Sequence, residues 1–121
     1  MRLLDTSVIV AYLNEDDELH YKTKEVDLNM TAFNELVLAE VANVLQKRVG
    51  EKAKVRQFLN TIIETTPMVL NTAGELQEAI KIFFEHYPKV SFTDAALSAQ
   101  AKALNVEVLT FDENLIRILK S

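Results

Sequence analysis

The chemistry this sequence offers is carried by acids: Asp5, Glu40, Asp94 and Asp112. Asp5 follows directly on the apolar Leu3-Leu4, and Asp112 follows Val106-Glu-Val-Leu-Thr-Phe111, so each is the first residue after a strand-like run. Asp94 enters with the segment Ser91 to Leu104, whose alanines and leucines lie on almost every face of a helix and predict burial nearly all round. Glu40 sits inside an apolar stripe formed by Leu36, Val37, Val41, Val44 and Leu45, at a place where the helical period asks for an aliphatic. If these carboxylates converge, they repel one another, and at least one holds a proton well above its ordinary range unless a cation relieves the repulsion. A hard divalent ion held through oxygen does that. Mg²⁺ or Mn²⁺ suits an all-carboxylate set, whereas zinc asks for nitrogen or sulfur donors; the chain has no cysteine, and His20 and His86 are badly placed to help.

Each acid also has a plainer reading. Asp5 and Asp112 serve equally well as helix caps, and Asp94 as the third-position partner of Ser91 in a capping box. Glu40 is no cap, so its plain reading is a core salt bridge to a lysine or arginine.

The elements that must position these groups can be read from pattern. Arg2 to Leu4 predicts a strand running into Asp5-Thr6-Ser7, a helix start, with the helix continuing through Leu13. Asn14 to Glu18 reads as a solvated acidic loop without chemistry, leading to a short polar helix through His20 and Lys24. Leu28 to Phe33 predicts a second strand, and Asn34 caps a helix through Val49 that Gly50 closes. A further helix spans Glu51 to Ile63; Pro67 introduces a strand, Met68 to Leu70; Thr72-Ala-Gly-Glu75 is a capping box for a helix ending before Pro88. The buried helix, the strand to Phe111 and a last helix, Glu113 to Leu119, complete the order. Strands separated by helical crossovers imply a three-layer α/β/α sandwich around a parallel sheet of four to five strands, in one domain over residues 1–121. In such sheets ligands bind beyond the carboxyl ends of the strands, where Asp5 and Asp112 stand.

A hydrophobic fraction of 49% in 121 residues is enough for one core without disulfides. The net charge of −5, from 13 basic and 18 acidic residues, argues against nucleic-acid binding driven by overall charge. A nucleic-acid substrate therefore needs bound cations or a local basic patch. Lys47, Arg48, Lys52, Lys54 and Arg56, clustered between two helices, are the candidates for backbone contacts, against the plainer reading of solvated helix faces. Absence of cysteine is compatible with a reducing cytoplasm, and neither a signal peptide nor a membrane span is visible, so a soluble cytoplasmic protein is expected.

Taken together, Leu3-Leu-Asp5-Thr-Ser, Leu36-Val-Leu-Ala-Glu40-Val-Ala-Asn-Val-Leu, Thr93-Asp94-Ala-Ala-Leu and Leu109-Thr110-Phe-Asp112-Glu-Asn-Leu resemble a PIN domain, in the order and at about the spacing of that family. The resemblance spans essentially the whole chain. It implies a metal-dependent ribonuclease in which Asp5, Glu40, Asp94 and Asp112 are the acidic quartet holding Mg²⁺ or Mn²⁺, with Thr6 and Thr110 as polar support beside it. It further implies cleavage to a 5′-phosphate and a 3′-hydroxyl. Small members of this kind resemble VapC-type toxins, which implies a VapB-type antitoxin and a homodimer; a housekeeping RNA-processing nuclease and a non-catalytic binding module are the alternatives. Other parallel folds fit less well. A receiver domain wants an acidic pair after its first strand, a dehalogenase-type phosphatase wants an aspartate where Ser7 stands, and nucleotide-binding turns want more glycine than the two present.

Overall fold

A computed structural model describes residues 1–120. The chain runs β1 (Arg2–Leu4), α1 (Thr6–Leu13), a 3₁₀ helix (His20–Glu25), β2 (Thr31–Ala32), α2 (Glu35–Arg48), α3 (Lys52–Thr65), α4 (Ala73–Glu85), α5 (Phe92–Leu104), β3 (Glu107–Leu109) and α6 (Glu113–Lys120). The three strands form one parallel sheet in the order β2-β1-β3, with Leu3 opposite Ala32 on one side and Val108 on the other. The α/β class and the parallel sheet are as the sequence implies. The sheet has three regular strands, and the expected strand at Met68 to Leu70 is reduced to a single parallel bridge between Phe33 and Met68.

The reason lies in the ladder chemistry. Phe33 N–H donates to Pro67 O at 3.1 Å, and Val69 N–H donates to Phe33 O at 2.8 Å. The next rung back would need an N–H from Pro67, which has none. In the other direction Asn34 leaves the strand to cap α2, its side chain accepting from Val37 N–H at 2.8 Å. One rung is all that remains. The strand expected to reach Phe111 likewise stops at Leu109, because the Thr110 hydroxyl takes the Asp112 amide at 2.9 Å and turns the chain out of the ladder.

β1 is the hub. Leu3, Leu4, Val8, Ile9 and Val10 are buried with Phe33, Val37, Val41, Leu45, Leu97 and Leu115 in one core. At about 1.5–3 kcal/mol for each fully buried large aliphatic or aromatic side chain, this cluster is the main stabilising term. α5 is buried from Asp94 to Leu97 and from Ala99 to Ala101, against α4, α2, β3 and α6. Its outer face is made of small residues. Ala95, Ala96 and Ala99 meet Ala79 of α4, so the two helices approach closely, and Leu36, Leu76 and Phe83 fill the margins. Gly50, at φ +76°, allows the reversal after α2 that a side chain would strain. No described helix is long and apolar enough to cross a membrane.

Candidate active site

The sheet carries its polar groups on one edge. Asp5 follows β1, Asn34 follows the Phe33 bridge, and Thr110 and Asp112 follow β3, so the parallel strands deliver them to a common rim. Beneath that rim lies a cleft of about 370 Å³ whose lining includes all four acids, Asp5, Glu40, Asp94 and Asp112.

Asp5 is nearly buried, at 3% exposure. Its Oδ2 accepts from the hydroxyls of Ser7 and Thr110, both at 2.7 Å, and from Ser7 N–H at 3.4 Å. Oδ1 receives no hydrogen bond among the described residues. The cap and the ligand readings are therefore not rivals here: one oxygen is spent on the helix start and its neighbours, and the other is unclaimed. Asp112 repeats the pattern, its Oδ1 accepting from Asn114 N–H at 2.8 Å and from Leu115 N–H at 3.4 Å at the start of α6. Thr110 joins the two, donating to Asp5 and accepting from the Asp112 amide.

Asp94 lies in the first turn of α5, where the Ser91 hydroxyl accepts from its backbone N–H at 3.1 Å. Its carboxyl is pushed up to about 7, first by burial and then by the negative charges of Asp5, Asp112 and Glu40; a hydrogen bond from Ser91 opposes the rise. Burial accounts for the larger part of that shift, and the three acids sharing the cleft add to it. Glu40 is half-buried on the cleft side of α2, and no described lysine or arginine pairs with it, so the core salt bridge expected of its plain reading is not there. Among the described residues no three acidic or histidine side chains are already drawn together into a coordination shell.

Thr6, expected beside the quartet, lines the cleft with its hydroxyl buried and without a hydrogen-bond partner in the described residues. A buried, unpaired hydroxyl costs about 1–3 kcal/mol, and ion-bound water is the kind of partner that would satisfy it. The all-oxygen donor set, the raised Asp94 and this orphaned hydroxyl together fit a hard divalent cation.

Of the five basic candidates, Arg48 alone lines the cleft. Lys54 pairs with Glu51 at 3.2 Å, Lys52 and Arg56 border a separate groove between α2 and α3, and Lys47 is exposed and outside the cleft lining. Three residues that sequence reasoning does not place at the site are also there. Ser7, in sequence no more than part of a helix start, holds Asp5 with its hydroxyl and accepts from Phe111 N–H at 3.1 Å. Ser91 and Asp17 line the cleft as well. Asp17 comes from the loop whose composition is that of plain solvated surface, and nothing in its local pattern distinguishes it from its acidic neighbours.

The fold is thus a parallel α/β domain whose carboxyl edge brings four acids to one cleft. The PIN domain family model matches residues 2–120, and the chain belongs to that family. Solved structures agree in fold. VapC20 of Mycobacterium tuberculosis, described as a sarcin-ricin loop cleaving toxin, superposes with a TM-score of 0.84 at 21% identity, over 97% of this chain and 94% of that one. VapBC2 of Rickettsia felis, bound to a promoter DNA fragment, gives 0.72 at 20% identity, over 97% and 92%. FitAcB of Neisseria gonorrhoeae gives 0.68 at 17% identity, over 99% and 94%. Comparison with curated protein sequences gives no match.

Proposed function

We propose that this chain is a Mg²⁺- or Mn²⁺-dependent endoribonuclease, the toxin of a VapBC-type pair, working as a homodimer and neutralised by a VapB-type antitoxin. The observation that carries the catalytic part is the convergence of Asp5, Glu40, Asp94 and Asp112 on one cleft, felt by Asp94 as a carboxyl raised to about 7. The toxin part rests on family membership and on the fold shared with VapC20 and VapBC2.

In this reading the four carboxylates hold the cation, with the unclaimed Asp5 Oδ1 offered by a side chain that Ser7 and Thr110 keep fixed. When bound, the ion supplies Lewis acidity, making water a competent nucleophile near neutral pH and offsetting charge on the leaving oxygen of a phosphodiester. Asp94 would have to give up its carboxyl proton to serve as a ligand, so metal binding at this site would be favoured by rising pH. Thr110 holds the spacing between Asp5 and Asp112, while Val10, Val44 and Leu19 give the cleft apolar walls that limit water. With their charge offset by the bound ion, the four acids would no longer repel an RNA backbone.

The test is cleavage of RNA by the purified protein with Mn²⁺ and with EDTA, beside Asp5→Asn and Asp94→Asn. Cleavage should require the metal and fall by at least about 10²-fold in each variant, the scale on which loss of a key transition-state interaction is felt. Metal-independent cleavage, or full activity in either variant, refutes the assignment. Co-expression with the protein encoded beside it tests the antitoxin, and light scattering at micromolar concentration tests the dimer.

A further inference from the structure

Glu40, Val44 and Arg48 lie on one face of α2 at a spacing of four residues, and all three line the acid cleft. At 1.5 Å per residue, the Arg48 backbone stands about 12 Å along the helix axis from that of Glu40, so the guanidinium enters the cleft from beyond the acids. Among the described residues Arg48 is the one cationic side chain in the lining, yet its partner is not one of the four acids. Its Nη1 bonds to Asp17 Oδ2 at 3.4 Å.

The two partners differ in freedom. The Asp17 side chain is 9% exposed and is fixed by a second bond, its Oδ1 accepting from Leu19 N–H at 2.9 Å. The loop that carries it is anchored in turn, His20 Nδ1 contacting Ala11 O at 2.6 Å. Arg48 is 63% exposed and makes this single, long contact. Such a pair is worth little and exchanges readily. Guanidinium is also the cation best shaped for phosphate, with donors left over when one is engaged.

We propose that Asp17 and Arg48 form a gated phosphate subsite at the mouth of the cleft, in which the guanidinium leaves the fixed carboxylate to take a backbone phosphate flanking the bond to be cut. The inference rests on the ribonuclease reading and adds a second anchoring point for the substrate. Asp17 acts through Arg48: it keeps the cation in the cleft mouth and away from the quartet, where it would compete with a metal ion, and yields it only to an anion that binds better. Arg48 is a substrate-binding residue, and Asp17 positions it.

The experiment is fluorescence anisotropy with a labelled single-stranded RNA of mixed sequence, in Ca²⁺, across a salt series. The proteins are the parent, Arg48→Gln, Asp17→Asn and the double variant. Arg48→Gln should weaken binding and lower the salt slope by about 0.7, the loss of one phosphate contact on a single strand. Asp17→Asn keeps the acceptor for Leu19 N–H while removing the competing charge, so it should tighten binding by about threefold, within the worth of an exposed ion pair. In the Arg48→Gln background that gain should vanish. Equal tightening in both backgrounds would mean a simple charge effect and overturn the gate. So would an unchanged slope in Arg48→Gln, a purely thermal-stability phenotype in both single variants, or no RNA binding by the parent. Cleavage is read separately with Mn²⁺: RNA bound through Arg48 but not cut leaves the gate standing and removes the ribonuclease reading.

Discussion

Replacing Asp94 by asparagine should stabilise the metal-free protein, and only at the pH where the carboxyl would be ionised. The folded-state carboxyl titrates at about 7 and the unfolded one at its ordinary 3.8. Between those values the folded chain binds more protons than the unfolded chain, so stability falls as pH rises, and the full loss is reached once pH passes the folded value. A gap of this size corresponds to about 4 kcal/mol at pH 8, an upper figure because the cleft can admit water and relax. Asparagine resembles the protonated acid in shape and carries no charge. In EDTA the variant should match the parent near pH 4 and exceed it near pH 8 by about 2 kcal/mol or more, a rise in Tm of roughly 8 °C for a domain of this size. Saturating Mn²⁺ should invert the order, because it binds the ionised parent site and scarcely the unfolded chain, contributing about 2.7 kcal/mol at 100 times its Kd. Circular dichroism melts at pH 4.5, 6 and 8 are sufficient. A difference that is the same at every pH, or a parent indifferent to both pH and Mn²⁺, would refute the claim that burial together with Asp5, Asp112 and Glu40 raises Asp94 and that a cation relieves it.

Two further substitutions separate site from scaffold. Thr110→Val removes the donor to Asp5 and the acceptor for the Asp112 amide, so it should cost about 1–3 kcal/mol and lower the cleavage rate; Thr110→Ser should restore both, and an unchanged kcat would remove Thr110 from the positioning of the acids. Thr72→Ala breaks the capping box between Thr72 and Glu75 at the start of α4, outside the cleft lining, and should lower Tm by roughly 4 °C for a loss of about 1 kcal/mol while leaving cleavage untouched.

What was legible in the sequence was what local chemistry dictates. Asp5 and Asp112 could be placed because a strand ends before each, Glu40 because it breaks an apolar stripe, and Asn34, Thr72 and Ser91 because cap residues announce helix starts. Asp17 was not legible. Its position at the cleft depends on how the loop after α1 docks, through the His20 contact with Ala11 and the bond from Leu19 N–H to Asp17, and neither leaves a periodic mark. The failed strand after Pro67 shows the opposite limit, since Met68-Val-Leu70 has the composition of a strand but lies beside a residue that cannot donate to the next rung. Gln100 escaped notice for a related reason: in an alanine-rich helix it looks incidental, yet it is fully buried, bonded to Asn34 and to Val69 O, and ties three segments together.

The bond between Thr110 and Asp5 spans 105 positions of sequence. β1, the central strand, leaves a ribosome well before β3, which pairs with one of its edges, and before Asp112. During synthesis Asp5 therefore waits without its threonine, beside a sheet edge still unpaired, until β3 and the turn after it emerge. The acid cleft, whose lining runs from Asp5 to Asp112, is therefore complete only once both ends of the chain have come together.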